Sequence, residues 1–181
     1  MHCAFPPSDG HPHWYADPGA DRIALAIFRN RELAWFGFMN ETFRAVMHGE
    51  EPTFLGIEKP QIYQTTATAQ ANDCLDVWGS ACWFRSRVHA LAPNLVERIL
   101  KPEEWKAQLP KPIHHARLWE SMTERERGLF PTDTEERIKV GIRRGKYTSA
   151  KGNDFHNFLD ATGIGLFCEG RTGRGGVLIR L

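Results

Sequence analysis

Three acidic residues stand where chemistry is plausible. Asp17 lies in Tyr15-Ala16-Asp17-Pro18-Gly19, ahead of the apolar run Ile23–Phe28. Glu58 closes Thr53-Phe54-Leu55-Gly56-Ile57 and is followed by Lys59-Pro60. Asp160 sits in His156-Asn157-Phe158-Leu159-Asp160-Ala161. Carboxylates distant in sequence but held at element ends are the donor set of a divalent-metal phosphodiester site. Mg²⁺ takes oxygen ligands and keeps several waters. Two such ions, roughly 3.5–4 Å apart, clamp the attacking and leaving oxygens of a phosphoryl transfer. Each acid also has a plainer reading. Asp17 before Pro-Gly suits a turn, Glu58 could pair with Lys59 or another base, and Asp160 with an arginine. A carboxylate entering apolar sequence is costly unless it is paired or bound to a cation.

The elements that must position these acids follow from periodicity and punctuation. The irregular lead-in, residues 1–13, carries His2, His11 and His13, a possible but unspecific metal-binding arm. Ile23–Phe28, a turn at Arg29-Asn30-Arg31 and Leu33–Met39 read as a hairpin. Residues 41–48 suit a short helix or an irregular connection, and Thr53–Ile57 a buried strand that Pro60 terminates. Residues 71–92 read as a helix whose apolar face is Leu75, Trp78, Gly79, Cys82 and Trp83, stopped by Pro93. Leu95–Leu100 suits strand or helix. A helix starts at Pro102, another spans Ile113–Met122, and Asn153–Glu169 is the last, with Gly163 and Gly165 permitting close packing. The charged stretch 123–151 has no clear pattern.

Composition narrows the class. A chain of 181 residues with 41% hydrophobic and 25% charged residues suits one folded domain. The net charge of +1 gives no general affinity for nucleic acid, so any such contact needs a local patch. The densest basic stretch is Arg143, Arg144, Lys146 and Lys151, beside Tyr147; it suits backbone contact with stacking, or a plain exposed loop. Cys3, Cys74, Cys82 and Cys168 form no CxxC pair. Cys74 and Cys82 read as small buried hydrophobes. With no signal peptide and no long apolar run, a reducing cytoplasm is the simplest expectation.

The ordered set of segments resembles the RuvC family of Holliday-junction endonucleases, in the RNase H-like superfamily. Ala16-Asp17-Pro18-Gly19 and the strand after it resemble the family's first strand; Gly56-Ile57-Glu58-Lys59-Pro60-Gln61-Ile62-Tyr63 resembles its fourth. Leu159-Asp160-Ala161-Thr162-Gly163-Ile164-Gly165-Leu166-Phe167 resembles its C-terminal helix, and Leu100–Pro112 the segment with DNA-contacting lysines. The resemblance implies an α/β, RNase H-like domain over residues 14–170, with a five-stranded mixed sheet flanked by helices. Residues 171–181 would be a flexible basic tail whose Arg171 and Arg174 could touch nucleic acid.

It further implies a crossover-junction endodeoxyribonuclease that cuts branched DNA by two-metal hydrolysis, using two Mg²⁺ or Mn²⁺ ions held by Asp17, Glu58 and Asp160. Asn157 or His156 would complete the site, one helical turn before Asp160, where relatives carry Asp or His. Asp154 becomes the candidate if the helix starts later. Asn is a weaker ligand than a carboxylate. A second departure is Ile23, where relatives carry a small hydroxyl residue. Lys59, Arg85, Arg87, Lys106, Lys111, Arg143, Arg144 and Lys146 would contact DNA. A homodimer is implied, with helix 71–92, Trp78 and Trp83 as its element. The alternative is a weakened or inactive protein that binds branched DNA without cutting it.

Overall fold

The fold rests on a sheet whose central strands are apolar on both sides. The computed structural model describes residues 10–20, 22–39, 51–60, 69–147 and 154–179, with side chains from 74 onward in the long helix. The expected helix at 41–48, His2, Cys3 and Lys151 fall outside the described residues. The strands are β1 (His13–Pro18), β2 (Ile23–Arg29), β3 (Glu32–Met39), β4 (Phe54–Glu58) and β5 (Val96–Leu100). The helices are α1 (Ala69–Leu91), α2 (Pro102–Trp105), α3 (Lys111–Ser121), α4 (Glu124–Arg127), α5 (Thr134–Arg144) and α6 (Phe155–Cys168), with a 3₁₀ turn at Arg174–Gly176.

The five strands lie in the order β3-β2-β1-β4-β5. β1, β2 and β3 pair antiparallel, while β4 lies parallel to both β1 and β5. This is the mixed sheet that the RNase H-like resemblance implies. The first strand, however, carries Asp17 near its C-terminal end rather than following it. Residues 13–16 are buried on both faces of the sheet, so the lead-in ends earlier than expected and the apolar run after Gly19 is the second strand. The β2–β3 hairpin closes through Asn30 and Arg31, both at positive φ (50° and 66°), the geometry that matches strand twist.

Strand alternation divides the interior into two layers. Tyr15, Phe28 and Phe54 face α6, α3 and Trp105. Trp14, Leu25, Leu55 and Ile57 face α1, through Ala81, Phe84 and Val88 with Trp78 beside them. Of the apolar face read on α1, Leu75, Cys82 and Trp83 are exposed, while Trp78 packs toward the sheet. This helix carries two apolar stripes, and the sheet takes the one with Phe84 and Val88.

Helix α6 lies flush on the sheet because it has no side chain where it would collide. A Cβ on Gly165 would come within 2.3 Å of the Phe28 ring, and one on Gly163 within 2.6 Å of Trp105 and Leu118. The uncertain segment 95–100 is a strand, and the unpatterned 123–151 contains α4 and α5. The tail is not free through Ile179. Arg171 pairs with buried Glu126, Thr172 bridges to Leu178, and Gly175 and Gly176 are buried. Arg171 is thereby withdrawn from any nucleic acid; Arg174 stays exposed.

Candidate active site

Asp17 and Glu58 share a sheet face because strand side chains alternate. Asp17 has the parity of Tyr15, and Glu58 that of Phe54 and Gly56, so both face α6. The parallel register pairs Ala16 with Ile57, which puts Asp17 and Glu58 at adjacent C-terminal strand ends. Open α/β sheets bind ligands at such ends. From α6, Asp160 enters the same place, with only 1% of its surface exposed.

Two lysines complete the cluster. Lys106 Nζ lies 2.9 Å from Glu58 Oε2 and 3.5 Å from Asp160 Oδ1. Lys111 Nζ lies 2.6 Å from Asp160 Oδ2. Trp105 Nε1 donates to Glu58 Oε2 at 3.0 Å, and its ring carries the Lys106 ammonium at 4.6 Å. Behind Asp160, buried His115 places Nε2 3.1 Å from Oδ1 and Nδ1 2.9 Å from the Tyr147 hydroxyl.

The electrostatics are lopsided. Burial, then the charge of Glu58, pushes the Asp17 carboxyl up to about 8. Burial also raises Glu58, against the pull of Lys106. Asp160 goes the other way: burial disfavours its charge, but Lys106, Lys111 and His115 hold it well below the usual carboxylate range. Burial resists the charge of Lys106, yet Asp160, Glu58 and Asp17 keep its ammonium raised. Burial lowers His115, against Asp160. The cluster thus sets three acids against two lysine side chains, with Asp17 the acid pushed furthest toward its protonated form.

Carboxylate oxygens suit a hard divalent cation. Their present arrangement does not. Among the described residues no three His, Cys, Asp or Glu side chains gather closely enough to share one ion. The cations between the acids are the chain's own lysines.

The other expected site residues are more scattered. Asn157 and His156 are half-buried on α6, one turn before Asp160, and the His156 ring stacks 6.1 Å from Tyr147. Asp154 pairs with Arg22 at 2.5 Å. Lys106 and Lys111, expected on DNA, are committed to the acids. Arg85 is committed to Glu97 at 2.5 Å, and Arg143 to Glu136 at 2.9 Å. Arg87 lies over the Trp83 ring, and Lys59, Arg144 and Lys146 are exposed.

Trp105, His115 and Tyr147 were not expected at the site. The sequence offers Tyr147 only as a stacking aromatic beside a basic stretch. His114-His115, set between Ile113 and Leu118 on a helix, was the available signal, since a buried imidazole needs a partner.

No family model matches the sequence, and no curated protein matches it. Among solved structures, the fold is similar to a Thermus thermophilus RuvC in complex with Holliday junction substrate. That match has 11% identity and a TM-score of 0.42, over 86% of this chain and 90% of that one. A second Thermus thermophilus RuvC structure matches at 12% identity and a TM-score of 0.39, over 86% and 91%. Both are structures of the family that the motifs resemble.

Proposed function

We propose that this protein is a phosphodiester hydrolase of the RuvC type that cuts four-way or other branched DNA. The observation that carries the reading is the convergence of Asp17, Glu58 and Asp160, from β1, β4 and α6, with Lys106 and Lys111 among them. A phosphodiester needs both halves of such a site. Acids gather cations and orient water; ammonium groups neutralise the phosphate. Mg²⁺ or Mn²⁺ is the expected cofactor on the strength of the oxygen donors. Lys59, Arg87, Arg144 and Lys146 would hold DNA phosphates. A homodimer would form through the exposed stripe of α1, with Leu75 and Trp83, which the sheet leaves uncovered.

The test is a synthetic four-way junction incubated with Mg²⁺ or Mn²⁺. Symmetric nicking by the wild type, lost in Glu58→Gln, supports the reading. Binding without cutting in either metal rejects it. That outcome favours the second reading, a branched-DNA-binding protein that does not cut. The lysine-neutralised acids and the neutral Asn157 speak for that alternative.

A further inference from the structure

Helix α5 ends at Gly145, whose φ of 70° turns the chain back on itself. Two residues on, the Tyr147 ring packs directly against Gly141. A Cβ there would come within 2.5 Å of that ring and 3.2 Å of Pro112. Phe155, at the start of α6, meets Tyr147 edge-on, with ring centroids 5.2 Å apart. These two rings and Val140 wall a pocket of about 190 Å³ between α5 and α6.

The polar lining of the pocket leaves its mouth cationic. Arg137 sets its guanidinium 5.6 Å over the Phe155 ring and pairs with Asp133 at 2.7 Å. Glu136, the other acid of the lining, is taken by Arg143 at 2.9 Å. Arg144 and Lys146 stand exposed at the opening. The pocket adjoins the acid cluster without being part of it. The Tyr147 hydroxyl meets His115 Nδ1 at 2.9 Å, and His115 Nε2 meets Asp160 at 3.1 Å.

We propose that this pocket takes the base of one unpaired nucleotide in a DNA strand, stacked on Tyr147 and Phe155, with its phosphate on Arg144 and Lys146. The size argues for a single flat ring system, since pockets for whole cofactors and drugs run to roughly 300–1,000 Å³. The lining argues for the chemistry. Aromatic walls take the face of any base, and cations at the opening take the phosphate that every nucleotide carries. The Arg137 guanidinium adds a second planar surface. DNA as the partner rests on the reading of this protein as one that acts on branched DNA. An unpaired base costs least to unstack, and branched substrates offer such bases. A base seated in the pocket holds its strand beside the acids, so the pocket acts by positioning.

The experiment is fluorescence anisotropy of the full chain with labelled duplexes in EDTA. One duplex carries a single bulged adenosine, one an abasic bulge at the same place. The wild type should bind the adenosine bulge about tenfold more tightly than the abasic one. Val140→Phe fills the pocket and should bind both equally, at the wild type's affinity for the abasic bulge. Val140→Met fills it less and should lose part of the same preference. Arg144→Gln and Lys146→Gln should weaken both duplexes alike and flatten the salt dependence. Equal affinity of the wild type for the two bulges overturns the proposal, and that comparison needs no variant to fold. An adenosine preference that survives intact in Val140→Phe also overturns it. So does deoxyadenosine monophosphate that competes as well as the bulged duplex, because the ligand is then a free nucleotide rather than a strand.

Nicking of the four-way junction is scored separately. An adenosine preference in a protein that never nicks leaves the pocket standing and rejects the nuclease. Nicking without an adenosine preference does the reverse.

Discussion

The two ends of one strand bury acids under opposite terms. At the start of β1, Glu169 accepts from Tyr15 at 2.6 Å and meets His13 Nδ1 at 2.7 Å. Nearby, Glu126 takes Arg171 and the backbone N–H groups of Leu33 and Thr123, at 2.7 and 2.8 Å. Each of those carboxylates has its own dedicated donors. At the other end, Asp17, Glu58 and Asp160 share two lysines, and Asp17 is left to take up a proton. β1 meets both arrangements: His13 and Tyr15 reach Glu169 just past α6, and Asp17 faces Asp160 on α6. Acids that only hold a fold together are matched locally; acids that must later receive something are left short of partners.

Substitutions at the two ends should therefore diverge. The largest effect is catalytic: Glu58→Gln should abolish junction cutting while leaving the melting temperature near or above that of the wild type. Junction binding should persist, because phosphate contacts dominate such affinity. A Glu58→Gln protein that still nicks the junction would show that the under-partnered end is not the reactive one.

Next comes Arg171→Met, at the matched end. It strands the Glu126 carboxylate and should cost about 3–5 kcal/mol in urea unfolding, with cutting retained under native conditions. A cost below about 1 kcal/mol would erase the contrast between the two ends.

Asp17→Asn should act in the opposite sense on stability, and with a pH signature. The native carboxyl titrates at about 8, against 3.8 for the ordinary group. The folded state therefore holds a proton that the unfolded state has lost. Wild-type stability from this group is complete below about pH 4 and is lost as pH rises through 8. Asn cannot titrate. In EDTA the two proteins should melt alike at pH 4, and the variant should gain steadily up to pH 8 and stay ahead above it. Each kcal/mol would raise its melting temperature by about 2–4 °C. A flat difference across that range would mean that Asp17 is not in the shared cluster.

The smallest effect is at the fourth position. Asn157→Asp should lower the Mn²⁺ concentration needed for half-maximal cutting, and His156→Ala should slow cutting without changing binding. If neither parameter moves, this turn of α6 is not part of the site, and Asp154 is the next residue to replace.

Much of this was legible in the sequence because its signals are local. The hairpin turn at Asn30, the buried strand ending at Glu58 and the last helix with Asp160 each announce themselves within a few residues. What the sequence hides are partners brought in from far away. The Tyr15 hydroxyl and His13 Nδ1 can be buried in a strand because Glu169, more than 150 residues on, meets them. Lys106 and Lys111 look like solvated surface lysines until the fold turns them onto acids from three elements. On α1 periodicity finds an apolar stripe but not which of two the sheet will cover, so the sequence alone does not separate Leu75 and Trp83 from Phe84 and Val88.

Gly163 and Gly165 bear on how such a site can change over generations. Every alternative residue brings at least one carbon to a spot already filled by Phe28, Trp105 or Leu118. Mutation at either position can only lift α6 from the sheet, and Asp160 would ride outward with it. The depth of that carboxylate cannot be adjusted by small steps there. A lineage that needed a wider site would first have to shrink an aromatic ring on the opposing surface, so the route to altered chemistry runs through the core rather than through the acids.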